Sequence, residues 1–290
     1  MTAVDFAPSH TFTADRLSST IGAEIRGIDL AHDLNEATVA ELRKALLDHK
    51  VLFFPGQDLD PQSHVALAEA FGQPTAAHPV MPPFDAAYPQ IWQIDSTKPG
   101  ARNDIWHTDV TFVERPPLGS ILRAIQLPEF GGDTSWACLE AAYDSLPGPL
   151  QKLADGLTAF HDGSNEFAAT LTERGHGNKW EGRSYDRLDA VEHPVVRIHP
   201  ETGRKSLFVN PGFTTGIKGF DPNDSRALLD VFFRHIARPE HSVRHRWSAG
   251  DVVFWDNRNT VHYANDDVGD FQRLMHRITL AGDEPFGPAK

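Results

Sequence analysis

Two histidines and one aspartate have the residue types and the spacing of a metal site. His107 and Asp109 are separated by one residue, and His262 lies far along the chain. Because side chains alternate between the two faces of a β-strand, residues 107 and 109 of a strand would project to the same side. Two histidines and a carboxylate on one face of a cation are the ligand set of non-haem Fe(II) oxygenases, which leaves positions open for substrates and dioxygen. The spacing therefore predicts that these three residues bind Fe(II) and form the catalytic centre.

The sequence around these residues favours strands that lead into a polar site. Residues 106–112 (WHTDVTF) alternate aromatic or β-branched side chains with polar ones, which predicts a strand. Residues 252–258 (VVFWDNR) have the pattern of a buried strand that ends in polar residues shortly before His262. The alternative is a histidine and an aspartate at the end of a surface strand, where they are solvated or paired with each other.

Two arginines follow the last candidate ligand in a strand-like segment. Arg273 and Arg277 are four residues apart, and this even spacing puts both guanidinium groups on one face of a strand. Burying two positive charges in a protein interior costs free energy unless each of them pairs with an anion. A planar guanidinium suits a carboxylate or a sulfonate. The pair predicts one bound anion for each arginine; the alternative is two exposed arginines on an edge strand.

Several motifs occur in one order along nearly the whole chain, from residue 21 to residue 283. They are 106–112 (WHTDVTF), 131–134 (GGDT), 208–210 (FVN), 212–215 (GFTT), 255–258 (WDNR), 262–265 (HYAN) and 274–277 (LMHR). With these motifs the chain resembles the taurine dioxygenase family of Fe(II)/2-oxoglutarate-dependent dioxygenases, a family that includes related alkylsulfatases.

The resemblance implies a role for each matched residue. Arg273, with the Thr134 hydroxyl beside it, would hold the far carboxylate of the co-substrate 2-oxoglutarate, while dioxygen would bind at the iron. Arg277 would bind the sulfonate group of the substrate. The remaining substrate contacts implied by the resemblance are His78 and the backbone of Val110 at the sulfonate, Phe167 and Phe213 along the pocket wall, and Asn103 near the amine.

Two positions depart from the family pattern where the amine of taurine would bind. Met81 stands where a tyrosine is common, and Arg102 stands where an acidic residue would precede Asn103. Both changes remove partners for an ammonium group, while the sulfonate end is unchanged. The implied reaction is hydroxylation of the carbon next to sulfur in taurine or a related alkanesulfonate, which releases sulfite and an aldehyde together with succinate and CO2.

Three other interpretations stay open at this point. An alkylsulfatase-type dioxygenase would use the same iron site on an alkyl sulfate ester. A non-catalytic jelly-roll binding protein would share only the fold. A zinc hydrolase could use two histidines and a carboxylate, but it would require a general base and not a dicarboxylate clamp. The physiological substrate and the oligomeric state, a homo-oligomer included, are also left open.

The pattern of elements predicts a mainly β fold with flanking helices. Asn35 and Asp60 are placed to cap two early helices, and short strands separated by Gly and Pro turns dominate from residue 106 onward. Because His107 and His262 must meet, we expect residues 1–290 to form a single domain, a double-stranded β-helix (jelly roll). Residues 163–190 are polar and aperiodic, which predicts a lid or a disordered insertion. The predicted strands are 107–112, 118–126, 133–137, 194–199, 206–209, 243–247, 251–256 and 273–281, and the later helices are 139–156 and 223–236.

Composition excludes several classes of function. The formal net charge is −13 and basic residues form no run, which disfavours nucleic acid and anionic membranes as partners. The single cysteine, Cys138, excludes an internal disulfide and a cysteine-held metal cluster. Neither a leader segment nor a membrane-length apolar stretch is visible, so the sequence predicts a cytoplasmic protein with a small-molecule sulfonate substrate.

Overall fold

A computed structural model describes residues 12–98, 104–174, 179–180, 182–185 and 187–288. The helices are α1 (Glu36–His49), α2 (Pro61–Phe71), α3 (Leu139–Asp144), α4 (Gly148–Asp155), α5 (Ser164–Arg174) and α6 (Pro222–Ile236). The strands are β1 (Thr13–Arg16), β2 (Ala23–Arg26), β3 (Val51–Phe54), β4 (Trp92–Asp95), β5 (Gly119–Gln126), β6 (Thr134–Cys138), β7 (Thr158–His161), β8 (Lys179–Trp180), β9 (Arg183–Ser184), β10 (Val191–Pro194), β11 (Val196–Ile198), β12 (Lys205–Leu207), β13 (Thr214–Ile217), β14 (Ser242–His245), β15 (Val252–Asp256), β16 (Thr260–Ala264) and β17 (Leu274–Leu280). Across the described ranges, no helix combines the length and the apolar character that crossing a membrane requires.

The largest sheet forms the wall on which the candidate site is built. Its strands follow the order β1-β2-β3-β15-β5-β17-β4, and every pair is antiparallel except β2 and β3. Successive side chains of β3 point to opposite faces of the sheet. Leu52 and Phe54 pack with α1 and α2 in one apolar cluster, whereas Val51 and Phe53 belong to a second cluster on the inner face.

A three-stranded sheet of order β14-β6-β16 packs against that inner face. Trp136 of β6 lies edge-on to Phe53, with ring centroids 5.4 Å apart, and 5.7 Å from the ring of Trp255 on β15. Because β16 carries His262 and β17 carries Arg277, packing of the two sheets brings the halves of the candidate site together. The predicted mainly β fold with flanking helices is confirmed.

The first two helices begin at the caps that the sequence predicts. The Asn35 side chain accepts a hydrogen bond from the backbone N–H of Thr38. Asp60 and Ser63 form a capping box, in which each side chain bonds the other residue's backbone, and Pro61 opens α2. Both helices cover the outer face of the large sheet.

Two predicted segments differ in their helices. The helix predicted over 139–156 is divided into α3 and α4, because Pro147 and Gly148 interrupt it. Part of the aperiodic segment 163–190 is the helix α5, which the sequence did not predict because its apolar stripe is short. Phe167 and Leu171, one helical turn apart, are the buried apolar side chains that hold it to an aromatic cluster.

The strand predicted over residues 107–112 is wrong. His107 forms an isolated bridge with His262, in which each backbone N–H donates to the other residue's carbonyl oxygen. The chain then turns through residues 109–112, and Val110 adopts a φ of 55°. A β-branched residue rarely adopts this left-handed conformation, so contacts from elsewhere in the fold must impose the turn.

A buried charge network fixes the connection between β15 and β16 that leads to His262. Asp256 is fully buried and accepts hydrogen bonds from Arg258 Nη2 at 2.6 Å and from His199 Nε2 at 3.0 Å. The backbone carbonyl oxygen of Asp256 also accepts a hydrogen bond from Thr260 Oγ1 at 2.7 Å. Burial alone would raise the pKa of Asp256, but Arg258 and His199 outweigh it and hold the carboxyl ionised.

We expect Asp256→Ala to lower the free energy of unfolding by about 3–5 kcal/mol, because Arg258 would stay buried without its main anion. Urea denaturation followed by fluorescence measures the change. Glu192→Ala is the matched control, since it removes the exposed ion pair with Lys218; we expect it to change stability by about 1 kcal/mol or less. Equal effects of the two substitutions would contradict the role given to Asp256.

Candidate active site

His107, Asp109 and His262 converge in the interior as the sequence predicts. Asp109 Oδ1 lies 4.0 Å from His107 Nε2 and 3.8 Å from His262 Nε2. One ligand atom from each residue lies within 4.8 Å of the others, and all three residues are buried. A single cation can therefore contact the three side chains together.

The two imidazoles have the protonation that metal binding requires. His107 Nδ1 donates to the carbonyl oxygen of Ile105 at 2.8 Å, which leaves the lone pair on Nε2, the nitrogen that faces Asp109. Burial lowers the pKa of His107 and places that of His262 well below its ordinary value. Both rings are therefore neutral at physiological pH and can act as ligands.

Asp109 is held as a carboxylate by neighbours from several elements. Ser120 Oγ donates to Oδ2 at 2.6 Å, and Arg277 Nη1 forms a close ion pair with Oδ1. Burial by itself would raise the pKa of Asp109, but Arg277, the two histidines and Ser120 outweigh it and lower the pKa to about 2. The carboxylate is thus ionised and available to a cation.

The turn at 109–112, and not a strand, places Asp109 beside His107. Asn257 Oδ1 accepts a hydrogen bond from the backbone N–H of Asp109 at 2.9 Å, and Asn257 Nδ2 donates to the backbone carbonyl oxygen of Asp109 at 3.0 Å. Gly212 allows its loop to approach from the other side, since a Cβ at that position would lie 2.9 Å from the His107 Cβ. The predicted proximity of the two ligands is right, but its predicted cause is wrong.

Arg273 is buried where no carboxylate bonds it among the described residues. Its Nη2 donates to Thr134 Oγ1 at 3.1 Å, and its guanidinium carbon lies 5.7 Å from the ring centre of Trp247. Within the described ranges its Nε has no hydrogen-bond partner. Burial lowers the pKa of Arg273 to about 10. Gly132 makes room for this side chain, because a Cβ there would lie 2.9 Å from Arg273 Cδ.

Arg277 and His78 share a cavity wall with the metal-ligand candidates His107 and Asp109. The Arg277 guanidinium carbon lies 4.6 Å from the ring centre of Trp92, and its Nε has no partner among the described residues. His78 Nδ1 accepts the backbone N–H groups of Val80 and Met81, each at 3.1 Å. Burial and the nearby Arg277 lower the pKa of His78 to about 3, so the neutral ring carries its proton on Nε2.

A cavity of about 10 Å³ joins most of the predicted substrate contacts. The predicted residues in its wall are His78, His107, Asp109, Val110, Phe167, Phe213 and Arg277. Thr134 and Arg273 lie outside this wall, as expected for a separate co-substrate contact. Asn103 and its neighbour Arg102 lie outside the described residues.

Sequence reasoning missed five residues that shape the site. Ser120 and Asn257 hold Asp109, and Asn257 stands in the 255–258 motif without a role having been assigned to it. Trp92, Phe112 and Glu166 complete the cavity wall. Spacing could not identify these residues, because each comes from a different segment and reaches the site through the fold.

Comparison with known proteins places the chain in a family. The model of the "Taurine catabolism dioxygenase TauD, TfdA family" matches residues 13–279. An alpha-ketoglutarate-dependent sulfate ester dioxygenase of Pseudomonas putida is 44% identical over 278 residues, which are 93% of this chain and 90% of that protein. An alkylsulfatase of Acinetobacter baylyi is 43% identical over 289 residues, 97% of this chain and 88% of that one. The crystal structure of a taurine dioxygenase from Burkholderia xenovorans aligns with a TM-score of 0.82 at 40% identity and covers 96% of this chain and 92% of its own.

The chain therefore belongs to the TauD/TfdA family. This membership confirms the predicted jelly roll and the predicted class of enzyme, a 2-oxoglutarate-dependent dioxygenase. It sets aside the non-catalytic binding protein and the zinc hydrolase. The roles of individual residues, the single-domain assignment and the substrate stay predictions.

We expect Asn257→Ala to weaken Mn(II) binding by about 10–100-fold, because the turn that presents Asp109 loses its two backbone contacts. Titration of the anaerobic protein followed by electron paramagnetic resonance measures free Mn(II). Asn259→Ala is the matched control, since Asn259 is buried in the same connection but donates to Glu140 at 3.1 Å. The Asn259→Ala variant should have a lower free energy of unfolding and an unchanged affinity for Mn(II). A similar loss of affinity in both variants would argue against positioning by Asn257.

Proposed function

We propose that the protein is an Fe(II)- and 2-oxoglutarate-dependent dioxygenase that oxidises a small organosulfur compound carrying a sulfonate or a sulfate ester group. The observation that carries the proposal is the arrangement of the two arginines. Arg277 pairs with Asp109 of the buried histidine–aspartate–histidine group, Arg273 is buried four residues earlier beside Thr134, and each keeps an unpaired Nε within the described residues. Two separate anions can thus be held near one metal.

The donor set fits Fe(II). Two neutral imidazoles and one carboxylate match the ligands of non-haem iron dioxygenases and leave coordination positions open. His107, Asp109 and His262 would hold the metal, which when bound supplies the activation of dioxygen that converts 2-oxoglutarate to succinate and CO2. The protein's own part is to fix these ligands in place and to keep water away from them.

Arg273 and Thr134 fit the far carboxylate of 2-oxoglutarate. A guanidinium that is buried with donors unused gains most from a carboxylate, which accepts two parallel hydrogen bonds. Trp247 Nε1 donates to Thr134 Oγ1 at 3.0 Å and so holds the hydroxyl in position beside Arg273. This contact binds and orients the co-substrate without taking part in the oxidation.

Arg277, His78 and the backbone of Val110 fit the sulfo group of the substrate. Arg277 offers its Nε, which has no partner among the described residues, and the neutral His78 ring carries a proton on Nε2. The aromatic rings of Phe112, Phe167 and Phe213 form the wall beside them, which suits a hydrocarbon chain. Binding of the sulfo group here would set the adjacent carbon next to the metal ligands, where oxidation takes place.

Sulfonates and sulfate esters present the same terminal group, so the cavity's charges alone do not separate them. Two relatives of this chain are named for sulfate esters or alkyl sulfates, and a similar structure is named for taurine. Met81 packs with the apolar clusters around the cavity, which favours a hydrocarbon over a polar substituent at that point. Either group is therefore part of the proposal.

Helix α5 is the candidate lid within residues 163–190. A cavity of about 10 Å³ has room for about one water molecule, so we propose that part of its wall moves when a substrate enters. Phe167 and Leu171 attach α5 to the cavity mainly through apolar packing. Such contacts can open and close without breaking buried hydrogen bonds.

An oxygen-consumption screen with Fe(II) and 2-oxoglutarate tests the function across taurine, alkanesulfonates and alkyl sulfates. We expect at least one compound to stimulate uptake well above the rate with 2-oxoglutarate alone. The released anion then identifies the class, because hydroxylation next to sulfur releases sulfite and hydroxylation next to an ester oxygen releases sulfate. No stimulation by any of these compounds would overturn the proposal.

Substitution of the arginines separates their two roles. Arg273→Ala should raise the KM for 2-oxoglutarate, since loss of a buried charge partner costs about 2–5 kcal/mol. Arg277→Ala should raise the KM for the organosulfur substrate much more than the KM for 2-oxoglutarate, and because Arg277 also pairs with Asp109 we expect a lower kcat as well. Steady-state kinetics with each substrate varied in turn measures both effects. Arg226→Ala, which removes an exposed arginine of α6, is the control, and the reverse pattern in the two variants would show that the assignments are exchanged.

A further inference from the structure

Thr111 is a buried polar residue in the turn over residues 109–112. Its neighbours Val110 and Phe112 line the substrate cavity, whereas Thr111 itself is not part of the wall. The same turn begins at the candidate metal ligand Asp109. Contacts that fix Thr111 therefore act on a segment that serves both the metal site and the substrate site.

The Thr111 hydroxyl lies between two buried side chains, and their hydrogen bonds have one consistent direction. Asn210 Oδ1 accepts from the backbone N–H of Phe213 at 2.8 Å, so Asn210 Nδ2 is the donor to Thr111 Oγ1 at 3.3 Å. Burial holds the pKa of His161 well below its ordinary value, and the neutral ring places Nδ1 3.0 Å from Thr111 Oγ1. In this direction the hydroxyl accepts from Asn210 and donates to His161, which satisfies both of its hydrogen-bonding functions.

His193 holds the backbone of the same segment. Its Nε2 lies 2.9 Å from the carbonyl oxygen of Thr111 and 3.1 Å from that of Val113. Because carbonyl oxygens only accept, this nitrogen carries the proton and donates to both. His161 belongs to β7 and His193 to β10, which are neighbours in a sheet of order β10-β7-β13. A sheet that supplies none of the candidate metal ligands thus anchors the turn.

The turn is held against the local preference of its sequence. Residues 106–112 alternate as in a strand, yet Val110 has a φ of 55°, which is rare for a β-branched residue. Asn257 bonds the backbone of Asp109 at the start of the turn. The contacts of Thr111 are the counterpart two residues later. Without them the chain after Asp109 can relax towards an extended conformation.

Two observations connect this anchoring to substrate binding. The backbone N–H of the buried Val110 has no hydrogen-bond partner among the described residues. Buried N–H groups are nearly always paired in native proteins, so this one favours an acceptor on a ligand. The Phe112 ring is closely packed, because a Cβ at Gly163 would lie 2.7 Å from it, and its centroid is 4.9 Å from that of Phe213. A shift of the turn would displace both the N–H donor and the apolar wall.

We propose that Thr111 is a positioning residue, which holds the Val110 N–H and the Phe112 ring where they contact the substrate. This inference rests on the proposed function, because it requires an organosulfur compound whose sulfo group binds beside Val110. The first half of the turn, held by Asn257, serves the metal, and the second half, held by Thr111, serves the substrate.

The test removes the hydrogen bonds of Thr111 in steps. Thr111→Val has nearly the same shape and no hydroxyl, Thr111→Cys has a weak donor, and Thr111→Ser keeps the hydroxyl. Thr38→Val is the matched control, since Thr38 is buried in α1 and its hydroxyl donates to Asn35 Oδ1 at 3.2 Å.

The probes are pentane-1-sulfonate and pentyl sulfate. Calorimetry of the anaerobic protein loaded with Mn(II) and 2-oxoglutarate measures the binding of each probe. Electron paramagnetic resonance measures the affinity for Mn(II), and oxygen uptake with Fe(II) measures KM and kcat. Thermal unfolding gives Tm for every variant.

We expect Thr111→Val to weaken binding of the better probe by about tenfold, equal to about 1.4 kcal/mol, and to raise its KM by a similar factor. The KM for 2-oxoglutarate and the affinity for Mn(II) should change by less than about threefold, because Arg273 and Asn257 keep their contacts. Thr111→Cys should lie between Thr111→Val and the wild type, and Thr111→Ser and Thr38→Val should match the wild type. A purely structural Thr111 would instead lower Tm and leave the KM values unchanged.

Unchanged probe binding in Thr111→Val overturns the inference, and Thr111→Cys compared with Thr111→Ser decides it if Thr111→Val does not fold. An equal loss of affinity for Mn(II), an equal effect of Thr38→Val, or a Thr111→Ser variant as weak as Thr111→Val overturns it as well. So does failure of both probes to bind the wild type.

The inference and the proposed function can fail separately. Oxygen uptake by the wild type with a sulfonate or a sulfate ester, together with an unchanged KM in Thr111→Val and Thr111→Cys, overturns the inference and supports the proposed function. Probe binding with the expected loss, but no oxygen uptake by the wild type with any of these compounds, overturns the proposed function and supports positioning by Thr111.

Discussion

The buried carboxylate of Asp109 is the constraint on which the rest of the site depends. A charge in the protein interior is tolerated only when its neighbours supply compensating charge and hydrogen bonds. Asp109 obtains them from Ser120 on β5, from Arg277 on β17 and, through its backbone, from Asn257 between β15 and β16. The same residue therefore ties strands of the large sheet to the turn that carries the first histidine. Satisfying one carboxylate thus fixes the relative positions of the candidate metal ligands.

Much of the architecture could be predicted because it depends on local patterns. The caps at Asn35 and Asp60 are side chains that bond the backbone within three residues, so the sequence alone contains the interaction. The strand β17, which contains Arg277 and begins directly after Arg273, was predictable for a similar reason, since an even spacing along an extended chain keeps both side chains on one face. In each case the relevant distance along the chain is short, and a strand or helix translates it directly into a distance in space.

The turn after His107 could not be predicted in this way. Its residues alternate like a strand, and a local pattern cannot reveal that Asn257 bonds both sides of Asp109 or that Val110 is forced to a φ of 55°. Glu166 was overlooked for the related reason that a polar, aperiodic segment gave no sign of a helix aimed at the cavity. Both are cases in which tertiary contacts override local preference, and both lie at the candidate site, where such conflicts are expected.

The two arginines show why chemistry and substrate choice can be separated in one site. Arg273 donates to Thr134 and lies beside Trp247, and no carboxylate bonds it among the described residues, so under the proposed function its charge is available to 2-oxoglutarate. Arg277 is already paired with Asp109, so the ligand that it would accept under the proposed function depends on the charges around it and not on the guanidinium alone. Changes on the wall formed by α5 and the loop at His78 can therefore alter the substrate while the metal ligands and the co-substrate contact stay the same. The proposed function thus assigns substrate choice to the cavity wall and the oxidation to the three candidate ligands between the sheets.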